Sequence, residues 1–453
     1  MARVPVHEAL KTPAEGTPNP FKLENPGILE LAPPAPRNLE DTGLKLGLLT
    51  DLALKFFYYH GEASGAEVTE QLRLPWSGVV ELVIDHLTTE KLVDLRGGKG
   101  FGRVSVDFQL TDKGREYARD ALLRTTYIGA APVPIDQYNT LISQQTRELP
   151  TVTRKQLELA LSHLVVPNGI VDKLGPAVNS GRSLFLHGPP GNGKTSLAEA
   201  ISAMFGGEAY VPHAIEIDGQ IIKVFDTLLH HPVELELGRD AHGRRTTFEM
   251  DQRWRLCRRP SVMVGGELTL ETLDLIYSDS ARFYEAPFQV KANGGMLLID
   301  DFGRQKVHPT DLLNRWIVPL EKRVDFLTLH TGKKFEIPFD QLIVFSTNLD
   351  PRELVDEAFL RRIKYKIEVG DPDEAQYRAI FKRVCEASGV PYVDQAVSYL
   401  LEHIYRPRGL ALRSCHPRDL LHLVKDAARY RGQPPALSRE LLELAVEVFL
   451  VDV

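Results

Sequence analysis

Apolar and polar residues follow different patterns in different regions of the chain. The middle region contains short apolar runs, SLFLH (183–187), MLLI (296–299) and LIVFST (342–347), with helical patterns between them. Apolar runs of this length, bounded by glycine or acidic residues, are typical of buried strands, so the region predicts an α/β core. Beyond residue 370 the apolar residues recur at helical spacing only, which predicts a bundle of helices.

Residues 43–128 show another order of elements. Three stretches have helical spacing: LKLGLLTDLALKFFYYHG, GAEVTEQLRL and WSGVVELVIDHLTTEKLV. VDLRGGKGFGRVSVDFQLT then alternates around a glycine-rich tip, which predicts a β-hairpin, and DKGREYARDALL predicts a fourth helix. This order resembles a winged helix-turn-helix domain, and the phrase LTDKGREYA is typical of the place where such a wing ends.

The charges of this unit leave two roles open. Its third predicted helix is mainly acidic, which is a poor complement to phosphate. The hairpin offers three basic residues around its tip: Arg96, Lys99 and Arg103. Both protein docking and DNA binding stay possible, and the lack of a basic stripe favours protein docking.

Three further segments differ from compact α/β sequence. Residues 1–42 are rich in proline and poor in aromatic residues, which predicts a disordered arm. Residues 129–150 are irregular and predict a linker. The segment from about residue 230 to 289 is longer than a simple connection between a strand and a helix needs. We therefore expect an insertion there, which faces a substrate or a neighbouring subunit or elaborates the surface.

Composition narrows the class of protein. The 453 residues suit two to four domains, and 43% hydrophobic with 25% charged residues is ordinary for a soluble globular protein. A net charge of -7 argues against general, charge-driven binding of nucleic acid. Cys257, Cys385 and Cys415 are far apart and match no metal-ligand spacing. We found no apolar run of membrane-spanning length and no signal-peptide core, so we expect a cytoplasmic protein without membrane insertion.

One motif carries specific chemistry. After the strand SLFLH, the sequence GPPGNGKT fills the P-loop pattern G-x-x-x-x-G-K-[ST], and SLAEAISAMF predicts the helix that should follow. Glycines let backbone N–H groups curl around phosphate, and the helix N-terminus adds partial positive charge. The predicted nucleotide-binding residues are Gly188, Pro189, Pro190, Gly191, Asn192, Gly193, Lys194, Thr195 and Ser196. Lys194 should reach the β- and γ-phosphates and Thr195 should ligate Mg²⁺, so ATP and Mg²⁺ are the predicted cofactors.

A second acidic motif follows about a hundred residues later. MLLID ends in Asp300, and Asp301 comes next, which is the Walker B pattern of apolar residues and then an acid. Asp300 should hold Mg²⁺ through water, and Asp301 should orient the attacking water. The segment LIDDFG is similar to the same site in IstB-type transposition helpers and DnaC-type helicase loaders, where most relatives have Glu in the position of Asp301.

Further polar residues stand in the order found in AAA+ ATPases. Asn348 directly follows LIVFST, where that superfamily has sensor 1. In EAFLRRIKYKIEV, Arg361 or Arg362 corresponds to the arginine finger, whose charge neutralises the transferring phosphoryl group of a neighbouring subunit. Arg418, at the start of the third C-terminal helix, corresponds to sensor 2, which would contact the γ-phosphate in cis.

The resemblance to AAA+ proteins covers residues 151–453. It implies an α/β P-loop NTPase core over 151–369 and a helical lid over 370–453, preceded by the α+β winged-helix domain and the disordered arm. KANGGMLLIDDFG is similar to the clade of sigma-54 activators, MoxR-type ATPases and magnesium chelatases, which carry a β-hairpin before sensor 1. VDFLTLHTGKKFEIPFDQ predicts that hairpin. The whole chain also resembles uncharacterised bacterial AAA+ ATPases to which chaperone activity has been ascribed.

Three functional hypotheses follow from this resemblance. An arginine finger acts across a subunit interface, which implies a homo-oligomeric ring, in the simplest case a hexamer. The first hypothesis is an ATPase that remodels a protein client, with the winged-helix domain as the docking module. The second is a DNA-binding motor or loader, in which Lys333 and Lys334 of the hairpin line a pore around DNA. The third is a slowly hydrolysing, nucleotide-dependent assembly scaffold, which Asp301 in place of Glu keeps open.

Overall fold

The computed structural model describes residues 27–98, 102–147, 151–167, 169–204, 206–233, 250–355 and 357–449. Among these residues, no helix combines the length and the apolar composition that a membrane span requires.

Part of the segment predicted to be disordered has a fixed structure. It contains two short helices, Gly27–Glu30 (α1) and Leu39–Thr42 (α2). Ile28 is buried among residues far along the chain, and the carbonyl of Pro33 accepts a hydrogen bond from the Asp251 amide at 2.8 Å. The prediction of a disordered arm was therefore wrong for residues 27–42, because these distant partners are not visible in local composition. Residues 1–26 lie outside the described residues.

The next unit combines four helices with a small sheet. Its helices are Leu46–His60 (α3), Gly65–Leu72 (α4), Glu81–Thr89 (α5) and Asp112–Arg124 (α6), and its strands are Glu62–Ser64 (β1), Val93–Gly98 (β2) and Val106–Leu110 (β3). The strands pair antiparallel in the order β1-β3-β2. Polar caps fix two of the helix starts: Ser64 forms a capping box with Glu67, and Thr111 accepts from the Gly114 amide. The predicted helices and hairpin are present, and β1 was not predicted.

Residues predicted to be a linker form regular structure. They contain the strand Val133–Pro134 (β4) and the helix Ile135–Arg147 (α7), which buries Tyr138, Leu141 and Ile142. The linker prediction for 129–150 was wrong for residues 133–147, since these residues complete a sheet with partners about 80 residues further along the chain. Residues 148–150 lie outside the described residues.

The central region contains most of the strands. They are Ser183–His187 (β5), Glu208–Pro212 (β6), Ala214–Ile217 (β7), Gln220–Lys223 (β8), Trp254–Arg258 (β9), Ser261–Val264 (β10), Ile276–Ser278 (β11), Phe283–Glu285 (β12), Met296–Ile299 (β13), Val324–Thr328 (β14), Lys334–Pro338 (β15), Leu342–Thr347 (β16) and Tyr365–Glu368 (β17). The helices are Arg154–Ala160 (α8), Ile170–Asn179 (α9), Lys194–Met204 (α10), Phe288–Lys291 (α11), Pro309–Arg315 (α12), Ile317–Lys322 (α13), Pro351–Leu354 (α14) and Glu357–Leu360 (α15).

Five of these strands form a parallel sheet in the order β10-β13-β16-β5-β17. Successive residues of β5 point to opposite faces, so Leu184 and Leu186 pack in one apolar core with α8, α9 and α10. Phe185 packs in the other core, which includes Trp316 at the start of α13. Because helices cover both faces, the strands are apolar throughout, as the sequence indicated.

A second sheet lies beside the parallel one, in the order β11-β12-β8-β7-β4. Its strands come from three separate parts of the chain. The prediction of one insertion over about 230–289 was wrong, because β10 is an edge strand of the parallel sheet, β9 pairs with β6, and β11 and β12 belong to the second sheet. Residues 234–249 lie outside the described residues.

The predicted hairpin before β16 is confirmed as β14 and β15, which pair antiparallel. Its apolar side chains Leu327 and Ile337 are buried in the core of the second sheet. At its turn Lys333 forms an ion pair with Asp218. The hairpin is therefore packed along its length against the second sheet.

In the described residues beyond 370, every regular element is a helix. Its helices are Glu374–Ser388 (α16), Asp394–Leu400 (α17), Arg406–Arg408 (α18), His416–Tyr430 (α19) and Arg439–Phe449 (α20), with a π-helical turn at Leu401–Tyr405. Asp373 begins α16 with a capping box to Gln376. The helices α16, α17, α19 and α20 and the π-helical turn share one apolar core.

A buried ion pair between Arg253 and Asp251 lies where three distant parts of the chain meet. Arg253 is 1% exposed and donates to Asp251 through Nε at 3.0 Å and Nη2 at 2.7 Å. Its Nη1 also donates to the carbonyls of Thr42 at 2.8 Å and Pro132 at 3.1 Å. The guanidinium group thus joins α2 and the segment before β4 to the turn before β9.

We expect Arg253→Ala to destabilise the protein strongly. Removing one partner of a buried, hydrogen-bonded ion pair costs about 3–5 kcal/mol, since the other charge is left buried without compensation. Urea denaturation followed by circular dichroism measures this loss. Arg258→Ala is the matched control, because Arg258 is an exposed residue five positions away and exposed substitutions change stability by about 0.5 kcal/mol or less. Equal midpoints for the two variants would contradict the structural role of Arg253.

Candidate functional site

The loop between β5 and α10 closes around the amino group of Lys194. Nζ of Lys194 donates to the carbonyls of Gly188 and Pro189 at 2.9 Å each and to Oδ1 of Asn348 at 2.6 Å. Gly188 has φ +135, and a Cβ there would lie 2.5 Å from the Val369 carbonyl, so the turn requires glycine. Burial lowers the pKa of Lys194, and Asp300 and Asp301 oppose this shift.

The acidic motif meets this loop directly. Oγ1 of Thr195 donates to Oδ2 of Asp300 at 3.0 Å. Asp301 has φ +50, its amide donates to Oδ1 of Asp300 at 3.0 Å, and its Oδ1 accepts from Nδ2 of Asn348 at 3.2 Å. Asn348 therefore contacts both Lys194 and Asp301. The predicted binding, metal and catalytic residues of three distant segments form one connected group.

A cavity of about 480 Å³ contains this group. Its polar wall is formed by the predicted residues Pro190 to Ser196, together with Asp300, Asp301 and Asn348. Its apolar wall comes from the segment between α8 and α9 and from α16, with Leu164, Val166, Pro167, Ile170, Ile380 and Val384. An apolar wall beside a phosphate-binding loop matches the two ends of a nucleotide, a flat base and a charged chain. The apolar wall was not predicted, because residues 165–167 (VVP) and an isoleucine in a helix such as Ile380 belong to no recognisable motif.

The donor set of the site fits Mg²⁺. Thr195 and Asp300 offer a hydroxyl and a carboxylate within hydrogen-bonding distance of each other. Mg²⁺ in nucleotide sites usually takes one or two protein oxygens and completes its shell with phosphates and water. The described residues contain no group of three or more His, Cys, Asp or Glu side chains that could hold a metal by themselves. A metal ion that arrives together with phosphate therefore suits Thr195 and Asp300.

The three predicted arginines lie in different places. Arg418, at the start of α19, lines the cavity, and its Nε donates to Asp419 at 3.1 Å. Arg361 and Arg362 are both described by the structure, and neither lines this cavity. The Arg361 side chain is 77% exposed and pairs with Glu357 at 2.9 Å. The Arg362 side chain is 27% exposed and pairs with Glu321 at 2.6 Å.

Comparison with known proteins gives one family match. Residues 373–448, which are the C-terminal helices, match a family model described as a domain of unknown function (DUF8689). This match covers well under half of the chain. No curated protein matches the sequence.

Several solved structures are loosely similar. One is NtrX from Brucella abortus in complex with ADP, 16% identical, with 73% of this chain and 65% of that chain covered and a TM-score of 0.37. NtrX in complex with ATP is 16% identical over 74% of this chain and 70% of that chain, with a TM-score of 0.36. The Thermotoga maritima RuvB Holliday junction branch migration motor is 15% identical over 67% of this chain and 74% of that chain, with a TM-score of 0.34. The chain thus spans less than two thirds of the first NtrX structure, and likenesses this weak carry no argument about activity.

We expect Lys194→Ala to abolish the binding of a nucleoside triphosphate. The substitution removes the only charge that the loop surrounds with its own carbonyls, and with it the group that should neutralise the β- and γ-phosphates. Fluorescence anisotropy with a labelled ATP analogue measures the affinity. Lys173→Ala, in the exposed face of α9, is the control and should bind as the unmodified protein does. Unchanged affinity in Lys194→Ala would contradict the assignment of the loop.

Proposed function

We propose that this protein is an AAA+ ATPase that hydrolyses ATP to ADP and phosphate with Mg²⁺. The observation that carries the proposal is the chain of contacts from Lys194 through Asn348 to Asp301, beside the contact between Thr195 and Asp300. Two of these contacts join the P-loop segment to Asn348 and Asp300, and the third joins Asn348 to Asp301. A glycine turn that matched the P-loop pattern only by chance would not be expected to show these contacts.

The residues divide the work of hydrolysis among them. Backbone N–H groups of the loop and Lys194 would bind the β- and γ-phosphates, and Thr195 and Asp300 would hold Mg²⁺. When bound, Mg²⁺ neutralises negative charge on the phosphates. Asp301 would accept a hydrogen bond from the attacking water. The water oxygen then bonds to the γ-phosphorus while the bond between the γ-phosphorus and the bridging oxygen breaks. Asn348 fixes the orientation of the Asp301 carboxylate, so less reorganisation is needed in the transition state.

The C-terminal helices would act as the lid of this site. They supply part of the apolar wall through α16 and bring Arg418 to the polar wall. An arginine in that place suits the γ-phosphate in cis, because its guanidinium group presents several donors to phosphate oxygens.

Asp301→Asn should separate binding from hydrolysis. The amide keeps the size of the side chain and leaves Lys194 and Thr195 in place, so the affinity for ATP should stay within about threefold. It cannot accept the proton of the attacking water, so kcat should fall by at least about 100-fold, the range of general acid–base effects. Phosphate release and labelled-ATP binding are the two measurements. Asp311→Asn, an exposed carboxylate in α12, is the control.

The same measurement tests the scaffold hypothesis. If the unmodified protein binds ATP but its kcat is no higher than that of Asp301→Asn, the proposal of an active ATPase fails. The nucleotide-dependent scaffold then becomes the better account.

We further propose that the active form is a ring in which Arg361 reaches the site of the next subunit. Its exposure supports this role, since its ion pair with Glu357 is fully at the surface and such pairs contribute little. Arg362 is less exposed and is paired with Glu321 across to α13. Arg361 is therefore better placed than Arg362 to leave its partner for a phosphate.

Arg361→Ala should lower kcat by about 10³-fold or more, the range known for arginine fingers, with little change in ATP affinity. Arg362→Ala is the matched variant and should retain most of the activity. A mixture of the Arg361→Ala and Asp301→Asn proteins should recover part of the rate, because a mixed ring contains interfaces with both groups intact. Absence of recovery, or a larger loss in Arg362→Ala, would contradict the role of Arg361 in trans.

The N-terminal unit best suits a docking module of the winged-helix type for a protein partner. On its α5, Glu81 and Asp85 both pair with Arg103 of the hairpin, so a basic residue that could contact phosphate is neutralised. Leu82 and Leu95 are 46% and 60% exposed, and apolar surface of this kind suits protein contact. Lys99 lies outside the described residues.

Remodelling of a protein client is accordingly our first proposal for the role of the ATPase. The DNA-motor hypothesis needs Lys333 and Lys334 to face DNA, but Lys333 is paired with Asp218 and the hairpin is packed on the second sheet. Neither the surface of α5 nor this hairpin presents the unpaired cluster of basic residues that a DNA backbone requires.

A further inference from the structure

A group of hydrogen bonds joins the phosphate-binding loop to the C-terminal helices. Asn192 is 7% exposed, and its Nδ2 donates to Oδ1 of Asp371 at 2.7 Å. Its Oδ1 accepts from the Ser414 amide at 3.1 Å. Arg413 donates to the same oxygen of Asp371. Both ends of the Asn192 amide are therefore used by residues outside the loop.

The backbone of the loop takes part as well. The carbonyl of Gly191 accepts from the Cys415 amide at 2.8 Å. Gly191 has φ +78, and a Cβ at this position would lie only 2.5 Å from Sγ of Cys415. The glycine is thus required for the close approach of residues 413–415 as well as for the turn itself.

These contacts end three residues before Arg418. The amides of Ser414 and Cys415 both donate to the loop, and α19 begins at His416. A helix whose first turn is anchored in this way holds its early side chains in fixed positions. Arg418 lies in that first turn and lines the cavity.

We propose that Asp371 is a positioning residue for the ATPase, a role that rests on the function proposed above. Asp371 is not among the described residues that line the cavity, so it would act through others. Its Oδ1 accepts from both Asn192 and Arg413, which aligns the Asn192 amide with Ser414 and holds the start of α19 on the loop. Through this arrangement Asp371 sets where Arg418 meets the γ-phosphate.

Asp371 can hold this connection because its carboxylate is charged and accepts from two donors at once. A carboxylate that accepts from an arginine and an amide makes stronger hydrogen bonds than a neutral acceptor would. The bonds from Ser414 and Cys415 are neutral and weaker, and they depend on the orientation that Asp371 gives to Asn192 and Arg413. Loss of the carboxylate should therefore release the whole connection, while the helices keep their own core.

Hydrogen exchange in the nucleotide-free protein tests the contact without reference to ATPase activity. In Asp371→Ala, the amides of Ser414 and Cys415 should exchange roughly tenfold faster or more, which is the worth of about one hydrogen bond. Residues 421–425 inside α19 should exchange as before. Unchanged exchange at Ser414 and Cys415, or equal acceleration throughout α19, would overturn the proposal.

Asp373→Ala provides the matched control. Asp373 lies two residues from Asp371, and its replacement by Ala also removes a carboxylate. The Asp373 side chain, however, caps α16 and does not contact the loop. Its removal should loosen the start of α16 and leave Ser414 and Cys415 at their original rates. If Asp371→Ala does not fold, Asn192→Ala breaks the same connection from the loop side. The original rate at Ser414 in Asn192→Ala would also overturn the proposal.

A second measurement separates positioning from simple stabilisation. Arg418→Ala is introduced into the unmodified protein and into Asp371→Ala, and kcat is measured for all four proteins. If Asp371 positions Arg418, the loss caused by Arg418→Ala should be at least about tenfold smaller in the Asp371→Ala background, because the two changes are coupled. In the Asp373→Ala background the loss should stay at its full size.

The possible outcomes distinguish the two levels of the proposal. An equal loss from Arg418→Ala in both backgrounds overturns the positioning role and leaves the ATPase proposal intact. No hydrolysis by the unmodified protein overturns the ATPase proposal and the role of Asp371 in it, whereas hydrogen exchange still reports whether the contact exists.

Discussion

The direction of the five parallel strands determines where the chemistry of this protein is placed. Because parallel strands end at the same edge of their sheet, the residues that follow β5, β13 and β16 meet there. β16 lies between β13 and β5, so Asn348 stands between Lys194 on one side and Asp301 on the other. A different strand order would leave the same residues in the sequence and separate them in space. The contacts of the site therefore depend on the order of the strands more than on any single side chain.

The second sheet connects several distant parts of the chain. Arg253 joins α2 and the segment before β4 to the turn before β9, and the hairpin of β14 and β15 packs its apolar face in the core of the second sheet. The N-terminal unit is attached to the same sheet, since the Thr126 amide donates to the Ala281 carbonyl at 2.9 Å and Tyr127 contacts Phe283 edge-on. A shift of the hairpin would have to move this sheet or break its core. The N-terminal unit and the hairpin are thus both packed against the same sheet.

The C-terminal helices meet the phosphate-binding loop through backbone as well as side chains. Gly191 and Asn192 belong to the P-loop motif, and each also contacts the segment that precedes α19. Two requirements act on the same short loop under the proposed function: it would have to leave its amides open to phosphate, and it fits Cys415 closely. This double use links the position of the helices to the shape of the loop, and it explains why residues outside the motif, such as Asp371 and Arg413, belong to the same arrangement.

The sequence by itself determined the elements whose signals are local. The sequence predicts Lys194, Asp300, Asp301 and Asn348 as members of one site, because the P-loop, Asp300 and Asn348 each begin directly after an apolar strand that periodicity reveals. The structure brings these side chains into contact. The order of helices and hairpin in residues 43–128 and the helices beyond 370 follow from the same kind of local pattern.

Only the tertiary structure decided the remaining features. The residues 27–42, the strand β4 with α7, and the division of 230–289 between sheets all depend on pairing with distant segments. β4, β10, β11 and β12 are only two to four residues long, and the sheets that they join contain strands from distant parts of the sequence. The apolar wall of the cavity and the contact of Asp371 with Asn192 likewise join residues up to about 200 positions apart. Such contacts are stabilised by burial and by hydrogen bonds that exist only once the chain is folded. No local pattern of residues therefore predicts them.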